Sequence, residues 1–359
     1  MLKQLAEVAS RGPVSRLDDG RWLVRDPEHI REVLVARRLN YTKDTPVYRA
    51  TRGLFGEGLL NASGPAWRAR RDIAQPALRA VDLDAVLERT GRELVTDLRS
   101  GGVSRDISGP VRSATARVLT RALFGDAREE LALQWSEVVR VRAETGAAVP
   151  EGVHDGIRRA LAEAPGTPML AAMASHLSGE ALVFEVATLL FAGTDTTASS
   201  ILWTLHLLSE HPEVEFVALD RAGRRRVLHE ALRLYPPAWC LSRRVEHADT
   251  LAGVTLPAGA EVLVSPWVTQ RLPSLWPDPE RFDPSRFLRP PLPFSWFPFL
   301  GGPRRCVGAA MAEQEALSLL DAVLSAFHMR GHALFPVAPE AGLTLRPRGG
   351  LWMLVQPRS

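Results

Sequence analysis

The 359-residue chain is poor in cysteine and almost without lysine, and each shortage narrows what it can be. Two cysteines, Cys240 and Cys306, are too few for a disulfide framework and lack the spacing of a zinc site, which points to a reducing, cytoplasmic setting. Lysine occurs only at Lys3 and Lys43, so the formal charge of +3 and the pI near 9.2 come from arginine. No nucleic-acid motif accompanies the basic clusters. Arg224, Arg225 and Arg226 read first as a solvated face, with docking of an acidic protein as the alternative. The opening MLKQLAEVASRGPVSRL has no apolar core of signal-peptide length, and neither a membrane anchor, an internal repeat nor a low-complexity linker is expected anywhere. What remains, 46% hydrophobic and 24% charged, describes a soluble protein able to bury a core around a sizeable ligand.

Periodicity predicts mostly helix with a minor β-sheet. VSRLDDGRWLVR at 14 to 25 reads as two short strands around an Asp-Asp-Gly turn, followed by a helix capped by Asp26 with Pro27 at its first position. Helices are expected at 65 to 80, 82 to 99, 108 to 124, 128 to 145, 155 to 176, 179 to 210, 222 to 234 and 308 to 326. LAGVTLPAGAEVLVSP reads as strands, residues 271 to 298 as a meander rich in proline, tryptophan and arginine, and TLRPRGGLWMLV as a strand pair. One integrated domain over 1–359 is expected rather than two.

The run GEALVFEVATLLFAGTDTTASSILWTLHLLSEH would extend roughly 45 Å as a helix, longer than a bilayer core. Glu185, Asp195 and its threonines argue for a helix through the protein core instead. Its middle is poor helix material: glycine costs about 1 kcal/mol in a helix interior, and Thr194, Asp195, Thr196 and Thr197 compete for backbone hydrogen bonds. Either another helix packs closely against Gly193, or the helix opens there for a small ligand with a hydroxyl and a carboxylate facing it.

The stretch PFLGGPRRCVGAAMAEQEAL at 298 to 317 is more specific. Phe299, Gly302, Arg304, Cys306 and Gly308 form a spaced pattern whose chance occurrence in a chain this long has odds below about one in ten thousand. Glycines let backbone approach a flat ligand, a cysteine at a helix start has its thiolate favoured by the dipole, and Arg304 can pair with a ligand carboxylate. A thiolate so held is a metal ligand or a nucleophile. Nothing nominates a histidine base for the second use, and metal ligation by one sulfur suits a metal that brings its other ligands, as haem does.

With these motifs in order along nearly the whole chain, the sequence resembles the cytochrome P450 family of haem-thiolate monooxygenases, possessing a long central helix over haem b (iron protoporphyrin IX). The resemblance implies Cys306 as the iron ligand, with Phe299, Gly302 and Gly308 around it. AGTDTT at 192 to 197 is similar to the family's oxygen-activation motif and implies Asp195 and Thr196 as its acid–alcohol pair, with Ala192 against the haem. HEALRLYPP at 229 to 237 and FDPSRF at 282 to 287 imply a structural triad of Glu230, Arg233 and Arg286. The spacing of Glu230 and Arg233 alone means little, since Glu28 with Arg31 and Glu137 with Arg140 share it. WRARR at 67 to 71 implies Trp67 and Arg71 at the haem propionates together with Arg243 and Arg304, Arg244 being an adjacent rival for Arg243.

The resemblance further implies that Asp195 and Thr196 relay protons through water, while a separate ferredoxin and ferredoxin reductase supply electrons, since the chain has no flavin, nicotinamide or Fe–S motif. Arg305, Arg68 and Arg70 are candidate docking residues. PPAW followed by Arg243-Arg244, VTQRL at 268 to 272 and TLRPRGGL at 344 to 351 look like the short bacterial branch that hydroxylates carotenoid ionone rings, so a carotenoid-like substrate is expected ahead of fatty acids, terpenoids or polyketides. Trp239, Cys240 and Leu241 are expected to face it. A peroxide-driven peroxygenase or a non-catalytic haem sensor or electron carrier would share the cysteine segment, but neither calls for the acid–alcohol pair.

Overall fold

The Asp18-Asp19-Gly20 turn forms as its composition predicts. Gly20 takes φ of 88°, and Val14–Arg16 pairs antiparallel with Trp22–Val24, Val14 opposite Val24. Those two strands open a five-stranded sheet, continued by Glu261–Val264, Leu241–Val245 and Tyr41–Thr42. Trp22–Val24 runs parallel to Glu261–Val264; the other neighbours are antiparallel. Asp26 precedes the helix Pro27–Arg31 as expected, although its side chain makes no capping hydrogen bond.

The computed structural model describes residues 1–358, the side chains of residues 216 and 219 excepted. The chain divides into two compact units, Met1–Ala50 with His229–Cys306, and Thr51–Leu228 with Val307–Ser359. The first holds the sheet and its core of Val24, Ile30, Val33, Val245, Val262 and Val264. The second is helical, with Gly64–Arg79, Asp84–Ser100, Ser108–Phe124, Glu129–Thr145, Gly179–Glu210 and Ala309–Ala326. Its core gathers Phe55, Leu123, Phe124, Trp135, Val186 and Leu190, each apolar side chain contributing roughly 1.5–3 kcal/mol on burial.

Gly179–Glu210 is the spine of this unit. By length and composition it is long and apolar enough to cross a membrane, yet 56% of its most apolar window is buried in protein. Trp203 lies inside and donates Nε1–H to the Leu345 carbonyl at 3.0 Å, and Trp135 donates to the Ala187 carbonyl at 2.8 Å. The helix is continuous through AGTDTT. A Cβ at Gly193 would stand 2.9 Å from Leu119 Cδ2 on Ser108–Phe124, so close helix packing accounts for this glycine and no opening of the helix is needed.

Two sequence expectations change. The helix expected over 155 to 176 is two, Asp155–Glu163 and Pro168–Ala174. Pro165, Gly166 at φ 79° and Pro168 interrupt it, and Thr167 caps the second piece by accepting the Leu170 N–H at 3.1 Å. The strands in TLRPRGGLWMLV do not pair with each other: Leu345–Pro347 pairs with Pro339–Ala341, while Trp352–Pro357 lies between Ser104–Asp106 and Phe327–Gly331. Gly349 and Gly350, both at positive φ, turn the chain from one sheet into the other.

Candidate active site

The cysteine loop is folded by its own backbone. Leu300 N–H bonds the Phe297 carbonyl at 2.8 Å, Arg305 N–H the Gly302 carbonyl at 3.1 Å, and Cys306 N–H the Phe299 carbonyl at 2.9 Å. Gly302 is required twice over: φ is 72°, and a Cβ there would come within 2.6 Å of the Leu34 carbonyl oxygen. Cys306 emerges exposed, two residues before the Gly308 N-cap of Ala309–Ala326. A Cβ added at Gly308 would meet nothing within 4 Å. Cys240 is the opposite case, since burial pushes its thiol up to about 12 and keeps it protonated. Trp239 and Leu241 beside it are buried, Leu241 in the core of the sheet unit.

Cations converge in the sheet unit. Arg243 is 5% exposed, donates Nη1–H to the Ser242 carbonyl at 2.7 Å, and, with Arg304, acts electrostatically on Lys43. Arg244, the neighbouring candidate, lies opposite Glu261 in the ladder. A group of like charges drawn together at a half-buried place suits a ligand carrying two carboxylates. An exposed thiol on a loop with room at Gly308 and a cluster of cations is a donor set that fits haem, which needs one axial sulfur and partners for two propionates.

The sequence triad is assembled. Arg233 lies fully buried against Glu230, Nε to Oε2 at 2.7 Å and Nη2 to Oε1 at 2.8 Å. Oε1 also accepts the Asp283 N–H at 2.9 Å and faces Arg286 Nε at 3.4 Å. Arg233 donates onward to the carbonyls of Gln270, Pro279 and Arg281, tying down the start of the meander.

On the long helix, Thr196 donates Oγ1–H back to the Ala192 carbonyl at 2.6 Å. Asp195 Oδ1 receives both Nε and Nη2 of Arg112, at 3.3 and 3.2 Å. Burial pushes the Asp195 carboxyl up, and Arg112 opposes this. Arg112 was not foreseen: it sits 83 residues away in sequence and no spacing rule links the two. Glu185, three turns earlier, was noted only as an argument against lipid. Its side chain is fully buried, Oε2 accepts the Leu59 N–H at 3.0 Å, and burial lifts its carboxyl from 4.5 to about 7.

Trp67 and Arg71 share Gly64–Arg79, the guanidinium 5.9 Å from the indole centroid. Arg68 and Arg305 are exposed. Arg70 is half-buried and its charge acts on Glu185, which turns it inward from the docking surface proposed for it.

The chain matches the cytochrome P450 family over residues 12–140, 158–216 and 225–351, and it belongs to that family. That family binds haem b through a cysteine thiolate, and the chain is a cytochrome P450 monooxygenase. Among relatives, it is 29% identical to cyclooctatin synthase of Streptomyces melanosporofaciens, over 99% of this chain and 91% of that one. It is 30% identical to cyclooctat-9-en-7-ol 5-monooxygenase of the same organism, with the same coverage. A crystal structure of a 6-coordinated cytochrome P450 from Thermus thermophilus superposes with a TM-score of 0.84 at 32% identity, over 100% of this chain and 98% of that one.

Proposed function

We propose that Cys306 is the residue that would ligate the haem iron and that the chain, one catalytic domain over 1–359 acting in the cytoplasm, hydroxylates a carotenoid-type ring with electrons from a ferredoxin and its reductase. The observation that carries the ligand assignment is the contrast between the two thiols, Cys306 exposed at the head of a helix and Cys240 only partly exposed, with desolvation pushing its thiol up to about 12.

Haem, when bound, supplies oxygen activation and the oxidising chemistry. The chain's part is to hold it and to manage protons. Cys306 Sγ would ligate, Trp67 and Arg71 with Arg243 and Arg304 would pair the propionates, and Phe299, Gly302, Gly308 and Ala192 would line the ring. Asp195 takes a proton at its carboxylate, which burial has made more basic, once Oδ1 is released from Arg112. Thr196 Oγ1 passes it on when the hydroxyl turns away from the Ala192 carbonyl.

The PPAW, VTQRL and TLRPRGGL segments support the carotenoid branch, and the Streptomyces relative named for cyclooctat-9-en-7-ol supports a cyclic hydrocarbon skeleton. That name also favours a second reading, a cyclic terpenoid substrate. Reduced protein under carbon monoxide is expected to show a thiolate-type absorption band that Cys306→Ser abolishes; a band surviving the substitution removes Cys306 as ligand. Titration with carotenoids, fatty acids and cyclic terpenoids, following the displacement of water from ferric iron, is expected to respond to the first group most tightly. A response confined to small polar compounds overturns the substrate assignment. Thr196→Ala is expected to divert electrons from product, and unchanged coupling would remove the hydroxyl from the relay.

A further inference from the structure

We infer that Glu185, Arg70 and Asn61 form a subsite for a hydroxyl that the substrate already carries, so that the oxygen this enzyme adds is a later one on the skeleton. The inference rests on the reading of the Thr196 face given above, and for the ring class proposed there it selects an oxygenated member. Glu185 stands seven residues before Ala192, two turns of one helix, and Thr196 follows one turn on, so the three share a face. Ala192 is exposed and Thr196 partly so, while Glu185 is fully covered. Its cover is the stretch 56 to 61, between the helices Arg52–Phe55 and Gly64–Arg79. That stretch is pressed onto the long helix: a Cβ at Gly58 would stand 2.6 Å from Thr188 Oγ1 and 2.9 Å from the Phe184 carbonyl oxygen, and the Leu59 N–H goes to Glu185 Oε2. Phe55, Leu60 and Phe191 make the surroundings apolar.

Three buried polar atoms in this setting have no hydrogen-bond partner among the described residues: Glu185 Oε1, Arg70 Nη1 and Asn61 Nδ2. Arg70 lies on Gly64–Arg79 and its charge acts on Glu185. Asn61 is two residues beyond Leu59, its Oδ1 already accepting from the Thr51 hydroxyl at 3.1 Å. Each buried polar group left unpaired costs about 1–3 kcal/mol, so a ligand that answers all three removes a substantial penalty. Together they are one acceptor and two donors. A hydroxyl has one proton to donate and two lone pairs to accept with, which complements them fully. A hydrocarbon answers none of them, and a carboxylate would meet Glu185 as a like charge once that carboxyl ionises near 7. At 1.5 Å per residue the subsite lies about 10 Å along the helix from Ala192, so its hydroxyl is distinct from the one being made. An earlier oxygenation or capture of water must have installed it.

In the parent holoenzyme at pH 8, affinities for farnesol, farnesene and farnesoate measured by equilibrium dialysis test this without any substitution. Farnesol is expected to bind about tenfold tighter than farnesene, and farnesoate more weakly than farnesol. Equal affinity for farnesol and farnesene would mean that water alone serves the three atoms and would overturn the inference, as would no measurable binding of farnesol. Tighter binding of farnesoate would overturn it in favour of an acid. Arg70→Met and Asn61→Leu are each expected to narrow the preference for farnesol severalfold. Glu185→Leu is expected to abolish it and Glu185→Gln to keep it, since the amide oxygen still accepts. Arg70→Met leaves the Leu59 contact in place, so a full preference in both Arg70→Met and Asn61→Leu overturns the assignment even if Glu185→Leu does not fold. A parent lacking the thiolate-type carbon monoxide band would instead strike at the haem-thiolate reading itself.

Discussion

Glu230 in the sheet unit and Glu185 in the helical unit are both fully buried carboxylates on helices, and the protein treats them differently. Glu230 is met by the fork of Arg233, by the Asp283 amide and by Arg286, and Arg233 spends its remaining donors on three backbone carbonyls. Glu185 has one amide on Oε2 and, among the described residues, no hydrogen-bond partner on Oε1. Asp195, on the same helix as Glu185, is intermediate, with two Arg112 nitrogens converging on one oxygen. Burial pushes the carboxyl up at Glu230 as it does at the other two, but there the Arg233 fork, the Asp283 amide and Arg286 all oppose it, and such a ring of donors holds structure. A carboxylate left partly unanswered keeps a proton within reach, which is what a relay needs and what a scaffold avoids.

The largest effect is therefore expected in the first region. Arg233→Ala leaves Glu230 buried with its bidentate partner gone, a loss of about 3–5 kcal/mol, comparable to much of a domain's net stability. Soluble yield and haem content are expected to collapse, and thermal unfolding of any recovered protein checks it. An Arg233→Ala protein melting within a few degrees of the parent would erase the distinction.

That network was only partly legible in the sequence. Glu230 and Arg233 share a helix, so their meeting follows from three-residue spacing, but the same spacing occurs elsewhere without significance. What lends the pair weight is the set of carbonyls at Gln270, Pro279 and Arg281, contacts across 37 to 48 residues that no local pattern encodes. Most helix positions were readable because a 3.6-residue apolar period is a local property. The strands near the C-terminus were not, because pairing is decided by distant partners such as Ser104–Asp106. Gly193 stayed undecided between its two readings for a related reason: a helix-breaking composition looks the same whether it admits a ligand or Leu119, and the structure chooses Leu119.

Next in size is the effect on turnover. Asp195→Asn keeps the side chain's volume but cannot carry the proton, and is expected to slow product formation roughly hundredfold while the melting temperature barely moves. Arg112→Gln sharpens the comparison from the other side. Removing the guanidinium takes away the charge that opposes burial at Asp195, so the carboxyl moves further upward and the acid limb of the pH–rate profile moves to higher pH with it. A limb that stays in place, with Asp195→Asn fully active, would class Asp195 with Glu230 as scaffold.

The smallest effect belongs to Glu185 and appears only as a function of pH. In the unfolded chain its carboxyl ionises near 4.5, and in the folded protein near 7. Between those values the folded state holds a proton that the unfolded state has released, so unfolding releases a proton and stability falls as pH rises through this window. Below 4.5 both states are protonated and nothing is lost; above 7 the full desolvation cost is present. The shift sets a ceiling of about 3 kcal/mol. Asp195, Glu230 and Glu315, also raised, contribute slopes of the same sign that the substitution leaves in place; with the ceiling lowered by rearrangement around the ionised group, Glu185→Gln is expected to remove roughly 1–2 kcal/mol. Glutamine still offers a carbonyl to the Leu59 N–H, so the variant is expected to match the parent near pH 4.5 and exceed it at pH 8 in denaturant unfolding. A variant no more stable than the parent at pH 8 would mean that Glu185 is as well answered as Glu230, by groups that move to meet it when it ionises.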